Sequence, residues 1–239
     1  MKKSLLLFCS LLFITNLLHA QCNPYFNYTE GTEIVMESFN GKGKLDGSQK
    51  ISILEVADEA GAQKILSSSV LMDKKGEQIT EMNYTLTCEG GNIKMDMSRF
   101  AMQNSAMDQM EGISVEIDGD HMVIPSSLSV GETLPDANFT TTIKSDNPAM
   151  AAMMGAPSNF RIYNRKVEKK ETLETSAGSF ECYKITYKFD AEVKIMGMTQ
   201  RMTSSGAEWI TEKVGMVRTE NFDKKGKLVS YSQIASFKQ

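Results

Sequence analysis

A four-residue turn, repeated almost letter for letter, constrains this chain more than any other feature. Asp223-Lys224-Lys225-Gly226 stands between two extended runs, 216–222 and 227–233. Asp at the head of a tight turn accepts a hydrogen bond from the backbone ahead of it. Gly in the fourth place takes the left-handed conformation that closes a type I turn with a bulge. The same tetrapeptide recurs at Asp73-Lys74-Lys75-Gly76, and residues 37–45 match 220–228 at six of nine positions. The copies reflect either an internally repetitive sheet or one good turn reused for its chemistry, and both imply antiparallel hairpins. Alternation places Val217 and Thr219 on one face of the incoming run. It places Val229, Tyr231, Ala235 and Phe237 on one face of the outgoing run.

Further turn signals follow the same logic. Glu89-Gly90-Gly91-Asn92 separates 84–88 from 93–97, and Asp118-Gly119 separates 113–117 from 121–124, where Asp-Gly is a strong two-residue hairpin signal. Between them, residues 98–112 carry Phe100, Asn104 and Met107 at helical spacing, with Ser98 and Gly112 as end signals. One short amphipathic helix is expected there. Residues 125–136 read as a connection punctuated by Pro and Gly, and 146–158 as a flexible flap. Strict alternation through Tyr183, Ile185, Tyr187 and Phe189 turns those four to the core, with Cys182, Lys184 and Lys188 opposite. The expected fold is mainly β: a large twisted antiparallel sheet, or an incomplete half barrel, built of consecutive hairpins.

Residues 1–20 have the basic start, apolar middle and small-residue end of a secretory signal peptide. Gln21 before Cys22 argues against lipid attachment at that cysteine. Residues 21–239 then form a single β-rich domain, with a boundary between two halves, if there is one, near 125–136. No later run is long enough for a spanning helix. The formal charge of −4 comes with Lys and acid mixed throughout, so no basic stripe for nucleic acid and no polybasic anchor is read. An oxidising compartment favours one disulfide among Cys22, Cys88 and Cys182. All three pairings are open; Cys22 with Cys88 is preferred because a flexible N-terminus reaches many positions.

Chemistry is harder to find. His121 is the single histidine after residue 20, it stands beside a turn, and no Gly-x-Ser-x-Gly elbow accompanies it. No carboxylate has an apolar setting that would raise its pKa, and no calcium or phosphate loop is present. The expectation is a non-enzymatic protein without a cofactor or a protein-held metal. Asn27, Asn83 and Asn138 each start an Asn-x-Thr triplet, which matters only where asparagine is glycosylated. Methionine is abundant, seventeen in all, and it clusters at Met95, Met97, Met102, Met107 and Met110, at Met150, Met153 and Met154, and at Met196, Met198 and Met202. Thioethers suit Cu(I), adaptable apolar surfaces, or plain gap filling in a core. The adaptable-surface reading makes Met102, Met107, Met110, Met150, Met153 and Met154 candidate ligand-binding residues.

The run 175–185 (Thr-Ser-Ala-Gly-Ser-Phe-Glu-Cys-Tyr-Lys-Ile), then Trp209, then 214–220 (Val-Gly-Met-Val-Arg-Thr-Glu), resembles the TapB-like family of exported bacterial proteins. Cys22, the Cys88-Glu89-Gly90 run and residues 130–136 extend the likeness. Ser176 stands where the family has Pro, Ile210 where it has Tyr, and Glu212-Lys213 where it has Lys-Gly, which loosens turn chemistry more than fold. The resemblance implies export, an all-β tendency and periplasmic or cell-surface residence, and it implies no catalytic residue or cofactor. The leading expectation is an exported binding module that holds an apolar ligand or lipid against a curved sheet. The alternative is an envelope-assembly protein acting through surface contacts with a protein partner.

Overall fold

The computed structural model describes residues 22–95, 113–195 and 198–239. The signal segment 1–20 and the helix expected at 98–112 lie outside them. In chain order the elements are β1 (Glu33–Asn40), β2 (Leu45–Glu59), β3 (Ala62–Asp73), β4 (Gln78–Glu89), β5 (Asn92–Met95), β6 (Ile113–Gly119), β7 (Met122–Ile124) and β8 (Ala137–Ser145). A short helix α1 (Pro148–Met154) comes next, followed by β9 (Ser158–Thr175), β10 (Gly178–Ile195), β11 (Met198–Thr211), β12 (Gly215–Phe222) and β13 (Leu228–Lys238). The strands form one thirteen-stranded sheet in the order β6-β8-β9-β10-β11-β12-β13-β1-β2-β3-β4-β5-β7. Every neighbouring pair is antiparallel.

The three related turns have one geometry. In each, the leading side chain (Asn40, Asp73 or Asp223) accepts from the amides two and four residues ahead, at 2.7–3.1 Å. The fourth residue, Gly43, Gly76 or Gly226, has φ between +75° and +84°. That is the left-handed position of a bulged type I turn, which a side chain would strain. The turns stand together: Gly41 N donates to Val229 O at 2.6 Å, and Gly47 pairs with Asp73. We call this end of the sheet the upper rim. Strand alternation puts the β10–β11 connection and α1 on the same rim, and the β2–β3, β4–β5, β9–β10 and β11–β12 turns on the lower one.

Where a hairpin is expected at Asp118-Gly119, β6 and β7 do not pair; they sit at opposite ends of the sheet order. Laid flat, twelve inter-strand steps would hold them about 58 Å apart. Only Asp120 and His121 separate them in the chain, a reach of roughly 10 Å from Gly119 to Met122. The sheet must therefore curl almost into a ring. It is not closed into a barrel by a ladder; one descending segment pairs with β8 through Gly119 and then with β5 from Met122. Gly119 makes the partner change, with φ +127° and no room for a Cβ, which would lie 2.4 Å from Asn138 O. Asp120 secures it by accepting from Asn138 N at 3.1 Å.

Three other expectations change. The segment read as a flap holds α1, started by Asn147, whose side chain accepts from Ala149 N and Met150 N, with Pro148 opening the first turn. A bulge opposite Val35/Met36 breaks the alternation of β13, so Phe237, paired with Ile34, shares the inner face with the fully buried Ile234, while Tyr231 and Val229, 53% exposed, keep the other face. Cys182 does face away from Ile185, yet it is fully buried, beside Glu171 on the outer face. Burial pushes its thiol up to about 12.

Candidate functional site

Paired residues of an antiparallel ladder share a face, so register and burial together map the inside of the ring. Its lower half is solid. Ile34, Ile65, Ile93, Ile124, Ile185 and Ile210 come from six strands, and none is more than 3% exposed. What fills the space between them is the N-terminal segment. Cys22 is joined to Cys88 by a disulfide with Cα atoms 6.0 Å apart, which leaves Cys182 as the free cysteine among the described residues. From there the chain crosses the inner face. The Tyr25 ring meets Tyr183 edge-on at 6.3 Å, its hydroxyl accepts from Leu128 N, and the Tyr28 hydroxyl donates to Val214 O at 2.9 Å. Leu128 and Leu134 of the 125–136 connection complete the filling. Each such burial contributes about 1.5–3 kcal/mol.

A buried arginine stitches the seam where the chain leaves β8 between β6 and β7. Arg165 of β9 is fully buried, and its Nη1 donates to Val123 O at 3.0 Å and to Pro135 O at 2.9 Å. It thereby links the last strand of the sheet order to the connection that runs beside β9. Its Nε and Nη2 have no hydrogen-bond partner among the described residues. Burial pulls the guanidinium below its ordinary pKa, opposed by Glu208, Tyr187 and Asp136. Burial raises the Tyr187 hydroxyl, helped by Glu208 and opposed by Arg165. Tyr187 lies over Gly206 of β11, where a Cβ would stand 2.3 Å from the ring.

The upper half of the inner face has two contrasting walls. On β13, β1, β2 and β3 small polar groups face inward: Ser38 and Ser232 share a hydrogen bond of 2.8 Å, and Gln49 donates to Ser69 at 2.6 Å. On β6 and β8–β11 the wall is apolar. Phe139 stacks on Phe160 at 4.9 Å and Phe160 on Phe189 at 6.2 Å, with Ile117 beside them. Met202 stands opposite Ala191 in the Phe160 row, and Met198 lies four residues nearer the upper rim on the same strand. Unlike the lower core, this wall is open: Phe160 and Phe189 are half-buried, Met202 is 53% exposed and Met198 62%.

Two hollows lie along the sheet. One, about 650 Å³, spans β2–β5 and is lined by Glu55, Glu59, Lys64, Thr87, Lys94 and His121, with Lys94 paired to Glu89. The other, about 530 Å³, spans β6 and β8–β11 and is lined by Asp118, Asn138, Arg161 and Arg201 together with Phe139, Phe160 and Met202 of the apolar wall. Both mix charges of both signs, and no cluster suited to a metal ion occurs among the described residues. On the outer face Trp209 is covered by the stems of Lys184 and Arg218, whose charges lie 5.3 and 5.9 Å from its ring. Arg218 is fully engaged by Glu220 and Gln233, so the cluster is scaffold.

Of the candidate methionines, Met102, Met107 and Met110 lie outside the described residues. Met150 is half-buried on α1 and Met153 is 43% exposed there; Met154 ends the helix. α1 stands on the upper rim beside β8. The Phe139–Phe160–Phe189 stack and Arg165 were not singled out as site residues. The aromatics were visible in their strands, but their alignment depends on strand registers that no local pattern encodes. Arg165 stands directly before Lys166 in a charged run, and nothing local marks it for burial.

No helix among the described residues is long and apolar enough to cross a membrane. Comparison with curated proteins finds no match. Among solved structures, the chain is similar to a protein of Bacteroides fragilis described as exported and YmcC-like in fold, at 22% identity and a TM-score of 0.69. That match covers 91% of this chain and 100% of the other. It is also similar to a protein of Parabacteroides distasonis described as a lipoprotein, at 23% identity and a TM-score of 0.71, covering 91% and 99%. At these identities the likeness establishes fold alone. The family model that matches is the one described as DUF3108-like, over residues 29–234, and the chain belongs to that family.

Proposed function

We propose that the protein is an exported, non-catalytic binding module that holds an apolar ligand, such as a lipid acyl chain, against the open upper wall of its curled sheet. One observation carries this reading. The lower inner face is filled by the protein's own aromatic residues, whereas the upper wall leaves Phe160, Phe189, Met198 and Met202 partly open to water. Exposed apolar surface that faces inward is costly in water and is relieved by an occupant. Flexible Met side chains beside rigid Phe rings suit an occupant of variable shape. Met150 and Met153 on α1 belong to the same rim and are proposed to cover it. Export is supported by the signal-like residues 1–20, and by what the two related structures are described as. The motifs at 175–185 and 214–220 support kinship with TapB-like proteins within the broader family.

The test is extraction of protein purified without detergent from its native envelope, followed by lipid mass spectrometry. A lipid recovered in stoichiometric amount is expected. Recovery of no lipid, with a stoichiometric protein crosslinked in the envelope instead, would move the assignment to an envelope-assembly role.

A further inference from the structure

Read along the chain, the lysines are scattered; folded, seven of them meet on one edge. Lys42 and Lys44 belong to the first of the three related turns, Lys74 and Lys75 to the second, and Lys224, Lys225 and Lys227 to the third. The backbone contacts between Gly41 and Val229, and between Gly47 and Asp73, set these turns side by side. All seven lysines are exposed, and none enters a salt bridge among the described residues. The acids on this stretch are Asp46, Asp73, Glu77 and Asp223. Two of them are turned inward: Asp73 and Asp223 each spend a carboxylate oxygen on two backbone amides. The rim is thus locally positive on a chain whose formal charge is −4.

A second feature coincides with it. Leu45, Ile79 and Val229 each lie just past one of these turns, and they are 39%, 57% and 53% exposed. Met153 and Met198, 43% and 62% exposed, mark the α1 and β10–β11 connections of the same end of the sheet. Most of the large exposed apolar side chains among the described residues therefore interleave with, or flank, the lysine cluster.

We propose that this rim docks the protein on the headgroup layer of an anionic lipid bilayer, with the lysines at the phosphates and the aliphatic side chains at the level of the acyl boundary. Charge complementarity selects the partner. A lysine near an anionic surface strengthens attachment about five-fold, an effect that salt screens. Apolar side chains among the cations add an increment that salt does not remove. The inference stands apart from the proposed ligand: lipid extraction reads the inner wall, and vesicle binding reads the rim.

The experiment is co-sedimentation of the purified protein with phosphatidylcholine vesicles, with and without phosphatidylglycerol, at low and high salt. The expected result is binding to the anionic vesicles that weakens at high salt. The variant Lys74→Glu/Lys75→Glu/Lys224→Glu/Lys225→Glu should lose that binding by more than a hundred-fold. Its melting temperature should hold, because those side chains make no hydrogen bond that the turns need. Lys166→Glu/Lys188→Glu, exposed charges away from the rim, should bind within a few-fold of the parent. Should the variant fail to fold, the salt dependence of the parent still decides. Absence of binding to anionic vesicles overturns the proposal, as does equal binding to neutral ones, or equal losses in the rim and control variants. So does a rim that ignores vesicles but loses crosslinks to an envelope protein when reversed, which would assign it to a protein partner.

Discussion

The two halves of the inner face are built from the same strands and have opposite interiors. Below, isoleucines and valines from across the sheet close on Tyr25, Phe26, Tyr28, Leu128 and Leu134. Above, the same strands continue with serines on one wall and, on the other, with a buried Phe139 beside Phe160, Phe189, Met198 and Met202, which are partly in water. The difference does not lie in strand hydrophobicity. It lies in where two non-strand segments are tied: the N-terminal one by a disulfide, and the 125–136 connection by Arg165 and by hydrogen bonds from Gly131 and Leu134 to β9. One end of a nearly closed ring is made into a core and the other is left partly open to water.

Substitutions should separate the halves by size of effect. Arg165→Met removes the donor to Val123 O and Pro135 O and leaves Glu208 without its countercharge, so a loss of about 3–5 kcal/mol is expected from urea denaturation. Replacing Cys22 and Cys88 together by Ser releases the N-terminal segment, and about 2–4 kcal/mol should go with it. A much smaller cost would mean that Tyr25 and Tyr28 hold the segment unaided. In the upper half, Phe160→Ala should cost only about 1–2 kcal/mol, because the ring is half-buried. Met202→Ser should stay within about 0.5 kcal/mol. If Met202→Ser costs as much as a lower-core change, the upper wall is filled and the contrast fails.

The smallest effect concerns the turns. The amides of Lys227 and Lys225 bond the Asp223 carboxylate and hold its pKa below the ordinary range. A depressed folded pKa gives stability that is present above the unfolded value and is lost as pH falls through the folded one. Asp223→Asn keeps the acceptor geometry, as Asn40 shows in its own turn, and removes that titration. Urea midpoints of the two proteins should differ at neutral pH and converge below about pH 4; a constant offset would mean the charge plays no part.

What could be read in the chain was local. The bulged turns follow from Asp or Asn at the first place and Gly at the fourth, and alternation gave Tyr183, Ile185, Tyr187 and Phe189 their face. The mainly-β fold followed from counting such elements. Asp118-Gly119 misled because glycine between two alternating runs serves equally for a hairpin and for a change of partner. Which of the two forms depends on what lies at the far edge of the sheet. Arg165 was not legible for a related reason: its burial is imposed by a connection some thirty residues earlier. The Phe139–Phe160–Phe189 stack needed two strand registers, β8–β9 and β9–β10, neither of which is encoded near the rings.

The central claim is that the upper wall is a receptacle for an apolar ligand, and a matched pair of charge insertions tests it most directly. Met202 and Val130 are about equally exposed, at 53% and 58%, so aspartate at either should leave the fold intact. Titration of a fluorescent fatty acid into the parent, Met202→Asp and Val130→Asp is the measurement. The account predicts saturable uptake by the parent and by Val130→Asp, and a loss of at least ten-fold in affinity for Met202→Asp. No uptake by the parent, or equal uptake by all three, would contradict it.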